Sequence, residues 1–136
     1  MYAGSLVALV TPMQPDGSID VDAWSRLLEF QLANGTKGIV VAGSTGESTT
    51  VTDAELTDLL IRARAVLGKR ALLIANAGMN GTASSVERAR AISALDIDAL
   101  LIATPSYVRP TQEGLFRHFA AIAEKCRNNP SCVGRT

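Results

Sequence analysis

The chain has 136 residues, 47% hydrophobic and 19% charged, with 13 Lys and Arg balanced by 13 Asp and Glu. That length suits one globular domain, the composition excludes a disordered polymer, and zero formal charge leaves no electrostatic footprint for a nucleic acid or an anionic membrane. No apolar run approaches the roughly 20 residues of a membrane span, and residues 1–13 lack the basic and long apolar regions of a signal peptide, so a cytoplasmic location is expected. Cys126 and Cys132 have no metal-ligand companion at a recognisable spacing, which supports neither a disulfide framework nor a metal site.

Residues 5–10 form a short apolar run closed by Thr11-Pro12, as expected of a first strand, because proline cannot continue a ladder. Turn chemistry at residues 15–18 leads to Asp20, a helix cap, and to Val21, Trp24, Leu27, Leu28 and Leu32 at helical spacing, with Gly35 as the stop. Residues 37–42, KGIVVA, read as a second strand, continuously apolar and buried. It runs straight into Gly43-Ser-Thr-Gly-Glu47, a turn with two hydroxyls, a carboxylate and N–H groups that glycine flexibility lets converge on an anion.

Thr52 to Glu55 has the capping-box pattern, and Leu56, Leu59, Leu60, Ala63 and Leu67 line one face of a second helix before Gly68. A third strand at 71–75 is followed by a second glycine loop at 76–81 and a third helix over 82–94 with Val86, Ala89, Ala91 and Ile92 on its inner face. The fourth strand spans 98–103, and Leu115, Phe116, Phe119 and Ile122 predict the buried stripe of a fourth helix. Strands recur at intervals of roughly thirty residues, the length of a βα repeat, and all four read as parallel strands buried on both faces. Two architectures share that grammar, an open doubly wound sheet and a closed (β/α)₈ barrel of which four units are half. No glycine-x-glycine-x-x-glycine turn follows strand one and no phosphate loop lies between a strand and a helix, so the dinucleotide-binding reading fails. Four strands with unpaired edges should leave the chain, on its own, insoluble, molten or associated.

Three segments, GSLVALVTPM at 4–13, VVAGSTGEST at 40–49 and TPSYVRPTQEGLFRHFAAIAE at 104–124, strongly resemble the N-terminal half of the dihydrodipicolinate synthase (4-hydroxy-tetrahydrodipicolinate synthase) family over residues 1–125. The resemblance implies a TIM barrel with its ligand site at the C-terminal face. There a lysine forms a Schiff base with pyruvate, and the enamine condenses with L-aspartate 4-semialdehyde in lysine (diaminopimelate) biosynthesis. No cofactor or metal is called for, and the family assembles as a homotetramer, a dimer of dimers. By resemblance Thr45 holds the pyruvate carboxylate, Ser44 is the first hydroxyl of a proton relay in place of the usual threonine, and Tyr107 is a relay tyrosine reaching in from a neighbouring subunit. Glu47 is expected to accept hydrogen bonds from the turn's own N–H groups.

Other features depart from the family pattern. Its catalytic lysine lies on a later strand, and Lys37, Lys69 and Lys125 all fall at the opposite face from the glycine turn. Residues 126–136 do not match the family's next strand, no tyrosine follows Tyr107, and the departure reads as truncation or frameshift; Gly134-Arg135-Thr136 echoes a substrate-binding turn, but no role is carried over to Arg135. His118 lacks a second metal ligand at i+4 and reads as a packing or surface residue. Asn80 matches a position that binds lysine as feedback inhibitor in some members, but Leu56, Ser84 and Ser106 replace the companions expected there. Another pyruvate-dependent aldolase of the N-acetylneuraminate lyase class and a non-catalytic remnant are the alternative readings.

Overall fold

The computed structural model describes residues 3–126. Its elements alternate in chain order: β1 (Leu6–Ala8), α1 (Val21–Ala33), β2 (Gly38–Val41), α2 (Asp53–Leu67), β3 (Leu72–Asn76), α3 (Thr82–Ser93), β4 (Ala99–Leu101) and α4 (Gln112–Cys126). The four strands form one parallel sheet in sequence order, β1-β2-β3-β4.

Local signals end the helices where the sequence places them. Asp20 accepts from Ala23 N–H at the start of α1, and Gly35 just beyond its end takes φ +81°, a conformation open to glycine at no steric cost. At α2 the capping box is complete. The Thr52 backbone N–H and hydroxyl both donate to the Glu55 carboxylate, at 2.8 and 2.7 Å, and together hold that carboxyl below its ordinary pKa.

The register divides the sheet into two faces. Ile39, Val41, Leu73 and Ala75 point to the helices and are fully buried against a core that includes Leu28, Leu56, Leu59, Leu60 and Leu67. Trp24 seals the α1–α2 contact, its indole N–H donating to Leu59 C=O at 3.2 Å. On the other face the rows are Leu6, Gly38 and Leu72, then Ala8, Val40, Ile74 and Ala99, then Asn76 and Leu101.

Three expectations are corrected here. Only β2 and β3 come close to burial on both faces; β1 and β4 leave Leu6 42% and Leu101 41% exposed, since each has a single neighbour among the described strands. In α3, Ala91 is exposed, and the inner face instead carries Ser85, Arg88, Ala89 and Ile92; Arg88 is tolerated because its guanidinium pairs with Asp53 at the start of α2, Nε to Oδ1 2.7 Å. In α4, Phe116 is 69% exposed, Leu115 and Phe119 are half-buried, and the buried stripe runs through His118, Ile122 and Cys126 at i, i+4, i+8. Helix α4 continues through Cys126, the last described residue, so the expected boundary at 125/126 falls at the limit of the described chain, and Cys132 and Arg135 lie outside it.

Candidate active site

The turn after β2, the loop after β3 and the loop after β4 meet at the C-terminal ends of the strands around a cleft of about 550 Å³, lined by Ser44, Glu47, Asn76, Asn80, Arg88 and Ser106 among others. A wider depression of about 760 Å³ between α1 and α2 includes Lys37 and Arg70, but it lies at the opposite end of the sheet, away from the glycine turn.

The first turn is anchored from β1. Thr11, itself buried, donates its hydroxyl to Gly46 C=O at 2.8 Å, and a Cβ on Gly46 would lie 2.8 Å from Leu9 C=O, so the backbone approach there needs glycine. Gly46 N–H and Ser48 N–H both return to Gly43 C=O, at 3.0 and 3.2 Å. These bonds leave the N–H groups of Gly43, Ser44 and Thr45, and the hydroxyls of Ser44 and Thr45, without hydrogen bonds among the described residues. Three successive unpaired donors at a strand end suit an anion, and the Ser44 hydroxyl, one donor with two acceptor lone pairs, faces the same cleft. Thr45 is exposed and does not itself line the cleft.

Glu47 differs from the expectation. Its side chain accepts nothing from the turn; its backbone C=O instead receives the N–H of Thr50 and Val51 and the Thr50 hydroxyl, and its φ is +57°. Ala42 and Tyr107 share that left-handed backbone, at φ +50° and +68°, so all three non-glycine residues of this kind among those described lie at the cleft end of β2 and β4. Tyr107 is fully exposed and not in the cleft, beside Val108, which is also exposed.

Asn80 ties two loops together, its Oδ1 accepting from the Ser106 N–H at 2.9 Å and hydroxyl at 3.1 Å. Ser84 lines the same cleft, whereas Leu56 is buried in the core and contributes nothing to it. His118 is a packing residue, with Nδ1 2.9 Å from Thr82 Oγ1 and the ring edge-on to Phe119; its Nε2 is buried without a hydrogen bond among the described residues. Asn76 and Arg88 were not singled out from the sequence. Arg88 shares a helical face with Ser85, Ala89 and Ile92, a pattern that signals a paired cation facing inward. The lysines lie as expected: Lys37 immediately precedes β2, Lys69 precedes β3 and reaches Asp96 at 2.9 Å, and Lys125 is in the last turn of α4.

The tight fit at Gly46 gives a direct stability test. Gly46→Ala and Thr11→Val are each expected to destabilise the fold by about 1–3 kcal/mol, the first by forcing backbone apart and the second by orphaning a buried carbonyl. Gly43→Ala, whose added Cβ would meet nothing closer than Val40 Cγ1 at 3.5 Å, should cost far less. Urea denaturation midpoints check this, and equal losses at Gly43 and Gly46 would contradict the packing described.

A parallel sheet in sequence order with alternating helices, and a polar cleft at the C-terminal strand ends, is the layout of part of a (β/α)₈ barrel. The sequence signature of the dihydrodipicolinate synthetase family matches residues 1–133, and the chain belongs to that family. It is 47% identical over 123 residues to the 4-hydroxy-tetrahydrodipicolinate synthase of Stenotrophomonas maltophilia, covering 90% of this chain and 41% of the relative. Among solved structures it is similar to a chloride-inhibited dihydrodipicolinate synthase of Acinetobacter baumannii complexed with pyruvate (TM-score 0.87, 43% identity, 90% of this chain and 42% of that one). It is also similar to a synthase described as the first monomeric variant (TM-score 0.83, 36% identity, 86% and 39%). The chain thus spans about two fifths of the length of these relatives. No helix among the described residues is long and apolar enough to cross a membrane.

Proposed function

We propose that this chain supplies the carboxylate-binding turn and the first relay hydroxyl for a Schiff-base-dependent condensation of pyruvate with L-aspartate 4-semialdehyde, giving 4-hydroxy-tetrahydrodipicolinate in cytoplasmic lysine biosynthesis. The observation that carries this reading is the set of unpaired N–H groups on Gly43, Ser44 and Thr45 beside the Ser44 hydroxyl at the end of β2. In the proposed chemistry the pyruvate carboxylate rests on those donors and on the Thr45 side chain. A lysine on a later strand forms the imine with loss of water, and loss of a methyl proton then gives the enamine, which attacks the aldehyde carbon. Ser44 accepts a proton on one side and donates one on the other, as a hydroxyl with both capacities allows.

Tyr107 enters this scheme from outside its own subunit. A fully exposed tyrosine on a left-handed backbone beside an exposed valine suits a residue that crosses an interface, consistent with the homotetramer implied by the resemblance. A pyruvate-dependent aldolase of the N-acetylneuraminate lyase class would use the same turn, with its aldehyde chosen by loops outside this chain. A remnant without catalysis would keep only the Tyr107 interface.

Carboxylate binding is testable on the 136-residue chain itself. Titration with pyruvate should shift the amide resonances of Gly43, Ser44 and Thr45, while acetone, which keeps the ketone and lacks the carboxylate, should not. Equal responses to both compounds, or none to pyruvate, would remove the basis for the reading.

A further inference from the structure

The chain that leaves β4 is held from the loop after β3. Ala77 N–H donates to Leu101 C=O at 2.9 Å, and Gly78 runs so close to Ala103 that a Cβ on it would lie 2.6 Å from the Ala103 nitrogen. Beyond that seam Pro105 is buried, and Ser106 gives both its N–H and its hydroxyl to Asn80 Oδ1, at 2.9 and 3.1 Å. The Ser106 C=O in turn receives Val108 N–H at 2.8 Å, around Tyr107 at φ +68°. A C=O to N–H bond spanning one residue of positive φ is the rarer kind of γ-turn, which a residue bearing a Cβ enters only at a cost. We propose that Asn80 is a positioning residue, holding Ser106 so that this turn presents Tyr107 outward; the consequence for turnover rests on the reading of Tyr107 as a relay tyrosine.

Among the described residues no other hydrogen bond from outside the segment reaches residues 104–110, so the hold on Tyr107 passes through one side-chain oxygen. Tyr107 makes no hydrogen bond of its own there, and α4 begins only at Gln112. Two hydrogen bonds of ordinary strength are of the same order as the cost of a strained backbone residue, so they sustain the turn and their loss releases it. The bonding also says which part of Asn80 matters. Only its Oδ1 acts, Nδ2 having no hydrogen bond among the described residues, and an aspartate would offer Ser106 the same acceptor. Because the serine hydroxyl supplies the second of the two bonds, Ser106→Ala should weaken the hold without abolishing it.

Hydrogen exchange and steady-state kinetics test this on residues 1–125 joined to the remaining strands and helices of the Stenotrophomonas maltophilia relative. Asn80→Ala should abolish the protection of the Val108 amide and lower kcat by roughly 10–100-fold, the order expected when a reacting group is misplaced by about an ångström. KM for pyruvate should change little, because the donors for its carboxylate sit on the turn after β2. Asn80→Asp, which keeps the acceptor, should retain the Val108 protection and hold kcat within about threefold of the parent. In a Tyr107→Phe background Asn80→Ala should cost no more than about twofold further, since the group it positions has already lost its hydroxyl. An unchanged Val108 amide in Asn80→Ala would overturn the proposal, as would an equal loss of kcat with and without the Tyr107 hydroxyl, or an Asn80→Asp variant as unprotected as Asn80→Ala. If Tyr107→Phe alone left kcat unchanged while Asn80→Ala still released the Val108 amide, the relay reading would fail and the positioning of Tyr107 would stand.

Discussion

Ser44→Ala and Tyr107→Phe are each expected to lower turnover by about 10²–10⁴-fold, the usual contribution of a proton-transfer partner, when residues 1–125 are joined to the remaining strands and helices of the Stenotrophomonas maltophilia relative. Both changes remove one oxygen and little else. Among the described residues neither side chain makes a hydrogen bond and both are exposed, so stability should move by no more than about 0.5 kcal/mol. A loss of turnover would therefore report chemistry. The Ser44 variant keeps the backbone N–H groups of the turn, and KM for pyruvate should change little while kcat falls. Thr45→Ala should act in the opposite way, raising KM by weakening the hold on the carboxylate. Steady-state kinetics on the three variants check this. Turnover within twofold of the parent chimera for Ser44→Ala would remove that residue from the relay.

The architecture was legible in the sequence because its signals are local. The capping box of Thr52 and Glu55, the stops at Gly35 and Gly68 and the leucine face of α2 each depend on neighbours within about one turn of helix. The errors fall where a partner is distant in sequence. Hydrophobic spacing favours Phe116 over His118 for the inner face of α4, and nothing near His118 announces that Thr82, 36 residues earlier, will meet its ring. Arg88 on the inner face of α3 likewise depends on Asp53, 35 residues away. Exposure of Leu6 and Leu101 follows from their place in the outer strands of the sheet among the described residues, a property of topology that strand composition does not carry. At the candidate site the residue types were readable, but which N–H groups remain unpaired follows from the fold of the turn, with Gly43 C=O taking two donors and Glu47 C=O taking three.

The placement of the amines bears most directly on the central claim, that this chain holds the carboxylate-binding turn while the Schiff-base lysine belongs to a later strand. An imine needs an amine that is unprotonated at working pH and close to the bound ketone. Lys37, Lys69 and Lys125 lie at the end of the sheet opposite Ser44 and Thr45, and Lys69 is already paired with Asp96. Pyruvate with borohydride, followed by mass spectrometry of the peptides, measures imine formation without needing turnover. The account predicts no pyruvate adduct on the 136-residue chain and, in the chimera, one adduct on a lysine outside residues 1–125. A specific adduct on Lys37, Lys69 or Lys125 would contradict it.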